Sequence, residues 1–191
     1  VRLMVTGHRP GRVGHHNEEW VRSRFRVILR RGLKFFGPDL KAASGMALGT
    51  DQWWAGEAIE LGIPVCAYLP LEPKGWSSWW SKSQAAHFFD LLDGCSEVKL
   101  LHDGHWTSNA DNIHFFRRNV TMCQESDDQV TVWDGQRSGG TWHALKWWHE
   151  NIKRRYIWVH PEKRFVRWTE TIRAVKKTPP LRPGVQSLFG D

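Results

Sequence analysis

Lys41-Ala42-Ala43-Ser44-Gly45-Met46-Ala47-Leu48-Gly49-Thr50-Asp51 is the stretch on which the reading of the fold turns. Small residues from Lys41 to Ser44 read as a brief strand, the glycines break it, and Thr50 or Asp51 caps a helix running to about Leu61. Pro64 to Leu69 is then the next strand. Upstream, Arg2 to Thr6 is a short apolar strand ending in Thr6-Gly7-His8-Arg9-Pro10-Gly11, which continues as neither strand nor helix and opens a glycine- and proline-rich loop. From Asn17, Val21, Phe25, Ile28 and Leu29 recur at helical spacing, with Arg22, Arg24, Arg26, Arg30 and Arg31 on a basic outer face.

Downstream the alternation continues. Gly75 to Leu92 reads as a tryptophan-rich helix, Glu97 to Leu101 as a strand and His102 to Ser108 as a polar loop. Asn109 opens a helix through Phe115, Arg118 and Met122, and Gln129 to Trp133 is a strand ending in Asp134-Gly135. A helix from about Thr141 to Lys153 leads to a strand at Tyr156 to Val159 and a hairpin strand at Phe165 to Trp168. Strand and helix alternating over short connections predict a three-layer α/β domain with a mainly parallel sheet. Residues 1–177 form this single domain, and 178–191 an irregular proline-rich tail.

The composition agrees with one globular domain. The chain has 191 residues, 40% of them hydrophobic, and a net charge of +7. No apolar run approaches the roughly 20 residues of a membrane-spanning helix, and Val1 to Val5 reads as strand, so the expected compartment is the cytoplasm. Cys66, Cys95 and Cys123 form no C-x-x-C pair, and their odd number points to reduced thiols. His8, His15 and His16, like His102 and His105, lack zinc-site spacing, so no metal is expected. Trp53-Trp54, Trp79-Trp80 and Trp147-Trp148 are adjacent pairs. Neighbours on a helix diverge by about 100°, so some of these rings belong at an edge, a pocket or an interface between subunits. A homo-oligomer is compatible with that.

In open parallel sheets, ligands bind beyond the carboxyl ends of the strands. Three strand ends here carry glycine-rich turns: Thr6 to Arg9, Ser44 to Asp51, and Asp134 to Thr141. Glycine lets backbone approach a ligand, and N–H groups at a helix N-terminus favour phosphate. Gly45 to Thr50 and Ser138 to Thr141 are the expected phosphate loops, with Ser44, Thr50, Ser138 and Thr141 as hydroxyl donors and Arg9 as a bidentate partner. There is no G-x-G-x-x-G fingerprint. The nearest approach to a Walker A loop, Gly135 to Gly140, is followed by Thr141-Trp142 without the lysine. H-E-x-x-H and G-x-S-x-G are absent as well.

Thr6-Gly7-His8-Arg9, Ser44-Gly45-Met46-Ala47-Leu48-Gly49-Thr50-Asp51-Gln52, Arg118-Asn119 and Trp133-Asp134-Gly135-x-x-Ser138-Gly139-Gly140-Thr141, in this order, resemble the SLOG superfamily, more closely its YpsA-like branch of bacterial and phage genomes. The resemblance spans about residues 2 to 160. It implies a Rossmann-like fold and binding of nucleotides or ADP-ribose-type ligands, with no further cofactor. Related lonely-guy-type phosphoribohydrolases cut an N-glycosidic bond with a glutamate three residues after the threonine of Gly-Gly-Thr, and here that position is Ala144. Asp51 and Asp134 are candidate substitutes, equally explained as a helix cap and a turn or ribose-binding residue.

Ser44 to Asp51 is also similar to the single-strand-binding core of the DNA-processing protein A family. The expectation is a sensor or sequestering protein for a phosphorylated nucleotide. Its site comprises Thr6, Gly7, His8, Arg9, Ser44, Gly45, Met46, Ala47, Gly49, Thr50, Asp51, Arg118, Asn119, Asp134, Gly135, Ser138, Gly139, Gly140 and Thr141. An N-glycosidic hydrolase of nucleoside monophosphates and single-stranded DNA binding are the alternatives. By analogy alone, the setting is phage or anti-phage.

Overall fold

Seven short runs rich in Val, Ile, Ala, Leu and aromatic residues become strands: β1 (Arg2–Gly7), β2 (Lys41–Ser44), β3 (Val65–Leu69), β4 (Glu97–Leu100), β5 (Asp128–Val132), β6 (Tyr156–His160) and β7 (Phe165–Thr169). The computed structural model of the protein describes residues 1–101 and 112–169. The strands form one sheet in the order β4-β3-β2-β1-β5-β6-β7. Every neighbouring pair is parallel except the β6–β7 hairpin. The chain therefore builds outward from β1 to β4, then returns to set β5 against the other side of β1. Strand order reverses between β1 and β5.

Helices cover both faces: α1 (Pro10–Val13), α2 (Glu18–Phe36), α3 (Thr50–Glu60), α4 (Pro73–Ser77), α5 (Lys82–Asp93), α6 (Asn112–Glu125) and α7 (Gly139–Trp147). Because side chains alternate along a strand, Leu3, Val5, Ala42 and Ala67 join one core with Phe25, Trp54 and Phe88, whereas Met4, Ala43, Cys66 and Tyr68 join Met122, Cys123 and Trp148 on the opposite face. All five residues of β3 and of β5 are buried, as a strand covered on both sides requires. This is the expected α/β architecture with a mainly parallel sheet.

Local departures from the sequence reading have local causes. Pro10 starts a helical turn, not a loop, because its fixed φ and missing N–H both suit the first position of a helix. The tryptophan-rich stretch is two helices. Ser81 accepts from the Gln84 N–H while the Gln84 side chain accepts from the Ser81 N–H, and this capping box starts α5 anew. Trp76, Trp80 and Phe88 pack edge to face over the break, with ring centroids 5.6 and 5.2 Å apart. Beyond α7 a single wider turn, Trp148–Ile152, ends at Lys153 in a left-handed conformation with φ of 57°. The Trp148 indole donates to Arg154 O just past it.

The expected polar loop at His102 to Ser108, the helix start at Asn109 and the tail at 178–191 lie outside the described residues. Among the tryptophan pairs, Trp53 and Trp54 are both buried, whereas Trp79 is 43% exposed beside the half-buried Trp80. No helix among the described residues is long and apolar enough to cross a membrane.

Candidate functional site

A cleft of about 490 Å³ opens over the carboxyl end of β1, the strand beside which strand order reverses. Its floor is the first loop, Thr6 to Arg9, and the first turn of α7, Gly139 to Thr141. Ala47 and Asp51 reach it from the second loop, and Arg118 and Asn119 from α6. Eleven of the expected site residues thus share one cavity: Thr6, Gly7, His8, Arg9, Ala47, Asp51, Arg118, Asn119, Gly139, Gly140 and Thr141. The remaining eight do not line it.

Ser44 Oγ donates to Asp51 O at 2.7 Å and accepts from the Met46 N–H at 3.1 Å. Thr50 Oγ1 donates to His8 O at 2.8 Å, tying the first two loops together. This contact demands Gly7, since a Cβ there would lie 2.4 Å from Thr50 Cγ2. Gly49, with φ of 91°, packs on Pro10, and Gly135, also at 91°, turns the chain after β5.

Asp134 is held by Arg12, whose Nε donates to Oδ2 at 2.7 Å and whose Nη2 donates to Oδ1 at 3.2 Å, and by the Gln136 N–H at 2.9 Å. Burial opposes its charge, but these donors together with His8 bring its pKa down to about 2. Ser138 occupies the N-cap of α7 without making a side-chain cap bond; its hydroxyl accepts from Arg12 Nη1 at 3.3 Å. The first N–H groups of α7 therefore have no cap from this residue and border the cleft.

The second loop is organised around a buried ion pair. Arg118 Nη1 donates to Gly45 O at 2.6 Å and stands 3.4 Å from Asp51 Oδ2, and the Ala47 N–H donates to the same oxygen at 3.3 Å. Asp51 and Arg118 are each 7% exposed. Burial pushes the Asp51 carboxyl upward against the pull of Arg118, and burial pulls the Arg118 guanidinium down against the pull of Asp51. Arg118 Nε is buried with no hydrogen-bond partner among the described residues. Arg9 is exposed at the cleft, and its guanidinium makes no hydrogen bond or ion pair with the described residues.

Sequence reasoning did not single out Arg12, Phe115, Phe116 or Met122 as cleft residues, yet all four line it. Phe115, Arg118 and Met122 are spaced three and four apart, so a family residue already marked on α6 carried an aromatic and a thioether on its own face. Arg12 lies one helical turn from the expected His8-Arg9 contacts. Among the described residues, no group of three or more His, Cys, Asp or Glu side chains could hold a metal ion.

The architecture defines a Rossmann-like α/β protein with its cleft at the switch point of the sheet. The solved structures that share that fold include the following two. One is DNA processing protein A from Streptococcus pneumoniae, with a TM-score of 0.61 and 14% identity over 83% of this chain and 50% of that one. The other is DNA processing protein A from Helicobacter pylori, described for its single-stranded DNA binding mode, with a TM-score of 0.55 and 13% identity over 81% of this chain and 63% of that one. The chain thus spans about half the length of the first and less than two thirds of the second. At such identity the likeness establishes the fold. No family model and no curated protein matches the sequence.

Proposed function

We propose that the cleft binds a phosphorylated nucleotide or a nucleotide-derived, ADP-ribose-like ligand and leaves its base–sugar bond intact, in the manner of a sensor or sequestering protein. The observation that carries this reading is the pairing of two chemistries in one cavity. Phe115 and Phe116 offer an aromatic wall for a base, with the buried Trp76 packed behind Phe115, and the first turn of α7, the open guanidinium of Arg9 and the unpartnered Nε of Arg118 offer donors to phosphate. About 490 Å³ falls within the 300–1,000 Å³ typical of small-ligand pockets.

Cleavage of an N-glycosidic bond needs a carboxylate to stabilise the sugar cation or activate water. Ala144 is fully buried, Asp51 is committed to Arg118 and Ala47, and Asp134 stands behind the cleft in the grip of Arg12. This favours binding over N-glycosidic hydrolysis.

Single-stranded DNA is the second reading, favoured by the fold shared with the Helicobacter pylori protein and by the net charge of +7. Calorimetric titration with AMP, ADP, ADP-ribose, adenosine and an oligothymidylate, each at low and high salt, separates the two. Mononucleotide binding that depends on the phosphate supports the proposal, and Arg9→Ala then weakens it roughly tenfold or more while leaving unfolding unchanged. Oligonucleotide binding that falls steeply with salt, without mononucleotide binding, replaces it with the second reading. Release of free adenine from AMP would overturn the intact-ligand statement.

A further inference from the structure

Three side chains from separate strand-end segments meet in a chain of contacts beside the cleft. His8, 5% exposed, has Asp134 Oδ1 at 3.0 Å from Nε2 and Thr141 Oγ1 at 3.3 Å from Nδ1. Asp134 is kept ionised by Arg12, and a carboxylate can only accept. Nε2 also faces the Asp134 N–H at 3.4 Å, but the carboxylate oxygen is nearer and charged, so Nε2 carries the ring proton and Nδ1 presents a lone pair to the Thr141 hydroxyl. The hydroxyl donates inward, which leaves its own lone pairs available to the cleft that Thr141 and His8 both line.

Hydroxyl, imidazole and orienting carboxylate in this sequence form the arrangement that activates an alcohol as a nucleophile. Burial lowers the His8 pKa, against the pull of Asp134, so the ring is a neutral base near pH 7. Thr141 lies in the first turn of α7, next to the backbone of Gly139 and Gly140, where negative charge on a reacting phosphoryl group is stabilised.

We propose that Thr141 takes the terminal phosphoryl group from a nucleoside triphosphate bound in the cleft, with His8 as general base and Asp134 as the residue that orients it. The donor's identity rests on the nucleotide reading above. Thr141 Oγ forms the new bond to the terminal phosphorus, and the bridging P–O bond breaks. The nucleoside diphosphate leaves with that electron pair, and the hydroxyl proton passes to His8 Nδ1. The product is a phosphothreonine in the first turn of a helix, a position that stabilises it electrostatically. The protein is thereby marked by its ligand, a chemistry suited to a sensor.

The full chain is incubated with ATP and magnesium, and in parallel with a fluorophosphonate, whose phosphorus reacts with an activated hydroxyl without any nucleotide. Peptide mass spectrometry locates the adducts, and calorimetry on the same protein reports nucleotide binding. The expected result is one phosphoryl group and one phosphonyl group, both on Thr141. Thr141→Ala removes both and Thr141→Ser keeps both, and His8→Asn or Asp134→Asn slows both about 100-fold or more. Asp134→Asn preserves side-chain size, so it carries the test should the buried His8 variant fail to fold.

ATP that binds without marking Thr141 overturns the proposal and spares the nucleotide reading. Absent ATP binding with Thr141 still phosphonylated overturns the nucleotide donor and with it the proposal, while the activated hydroxyl itself remains. Labelling at the wild-type rate in a folded Asp134→Asn protein overturns the role given to His8.

Discussion

Adding one methyl group at position 45 should empty the second strand-end loop of its guanidinium. A Cβ on Gly45 would stand 1.5 Å from Arg118 Nη1, 2.4 Å from Cζ and 2.8 Å from Asp51 Oδ2. Gly45 is not among the glycines with positive φ, so alanine meets no backbone obstacle, and the cost is set by what Arg118 must give up. It loses the 2.6 Å bond to Gly45 O and the pair with Asp51 at 3.4 Å, and Asp51 loses its counter-charge while 7% exposed. Removing one partner of a buried pair costs about 3–5 kcal/mol, and water entering through the cleft offsets part, so Gly45→Ala should destabilise by about 3 kcal/mol.

Equilibrium unfolding in urea, followed by tryptophan fluorescence, measures this directly. Arg118→Ala should cost a similar amount, because it strands the same carboxylate. The decisive measurement is the double variant: with Arg118 gone the new methyl group meets only Asp51 Oδ2, at 2.8 Å, and that carboxylate is then free to swing aside, so Gly45→Ala should add about 1 kcal/mol, well below its cost alone. Fully additive costs would show that Gly45 is needed for some reason other than the guanidinium, and the account of the loop would fall.

Asp134 makes stability depend on acid. Its folded pKa of about 2 lies below the 3.8 of an unperturbed carboxyl, so its contribution is fully present above the unfolded value and is lost as pH falls through about 2. Asp134→Asn should lower stability at neutral pH by about 2 kcal/mol and flatten the profile between about pH 4 and pH 2, as urea midpoints measured across that range would reveal. Installing the glutamate of the related hydrolases, Ala144→Glu, should destabilise by about 3 kcal/mol or more and release no base from a nucleoside monophosphate. Residue 144 is fully buried, and its carbonyl faces the Cys123 thiol at 3.9 Å. Chromatography of the reaction and a thermal melt check both halves.

The strands were legible because each is a short apolar run closed by glycine, proline or a polar turn, and the parallel arrangement follows from their alternation with helices. β3 and β5, buried along their whole length, are the clearest cases. Two helix boundaries were hidden for opposite reasons. Ser81-x-x-Gln84 is a legible capping box, but it sits inside a run of aromatic residues whose spacing reads as one continuous helix. Pro10 reads as a breaker because its role depends on standing first in a helical turn, which the preceding loop geometry decides. Strand order was not legible at all, since it is settled by which distant runs bury each other.

That missing order also explains the difference between the three loops. Glycine at a strand end announces a close approach without naming what approaches. At Gly7 it is the Thr50 side chain, and at Gly45 it is the Arg118 guanidinium. In the second loop the Met46 N–H is taken by Ser44 Oγ and the Ala47 N–H by Asp51, so donors that a phosphate would use are already engaged from within. The order β2-β1-β5 places the first loop and α7 astride the reversal and the second loop one strand away. A ligand seated at the reversal therefore meets Arg9 and the start of α7 directly, and meets the second loop mainly through Asp51 and Arg118. The buried ion pair lets that loop act at a distance: it fixes the depth at which Arg118 Nε waits for a partner, and any change that displaces Arg118 should weaken anion binding even where no atom of the ligand touches residue 45.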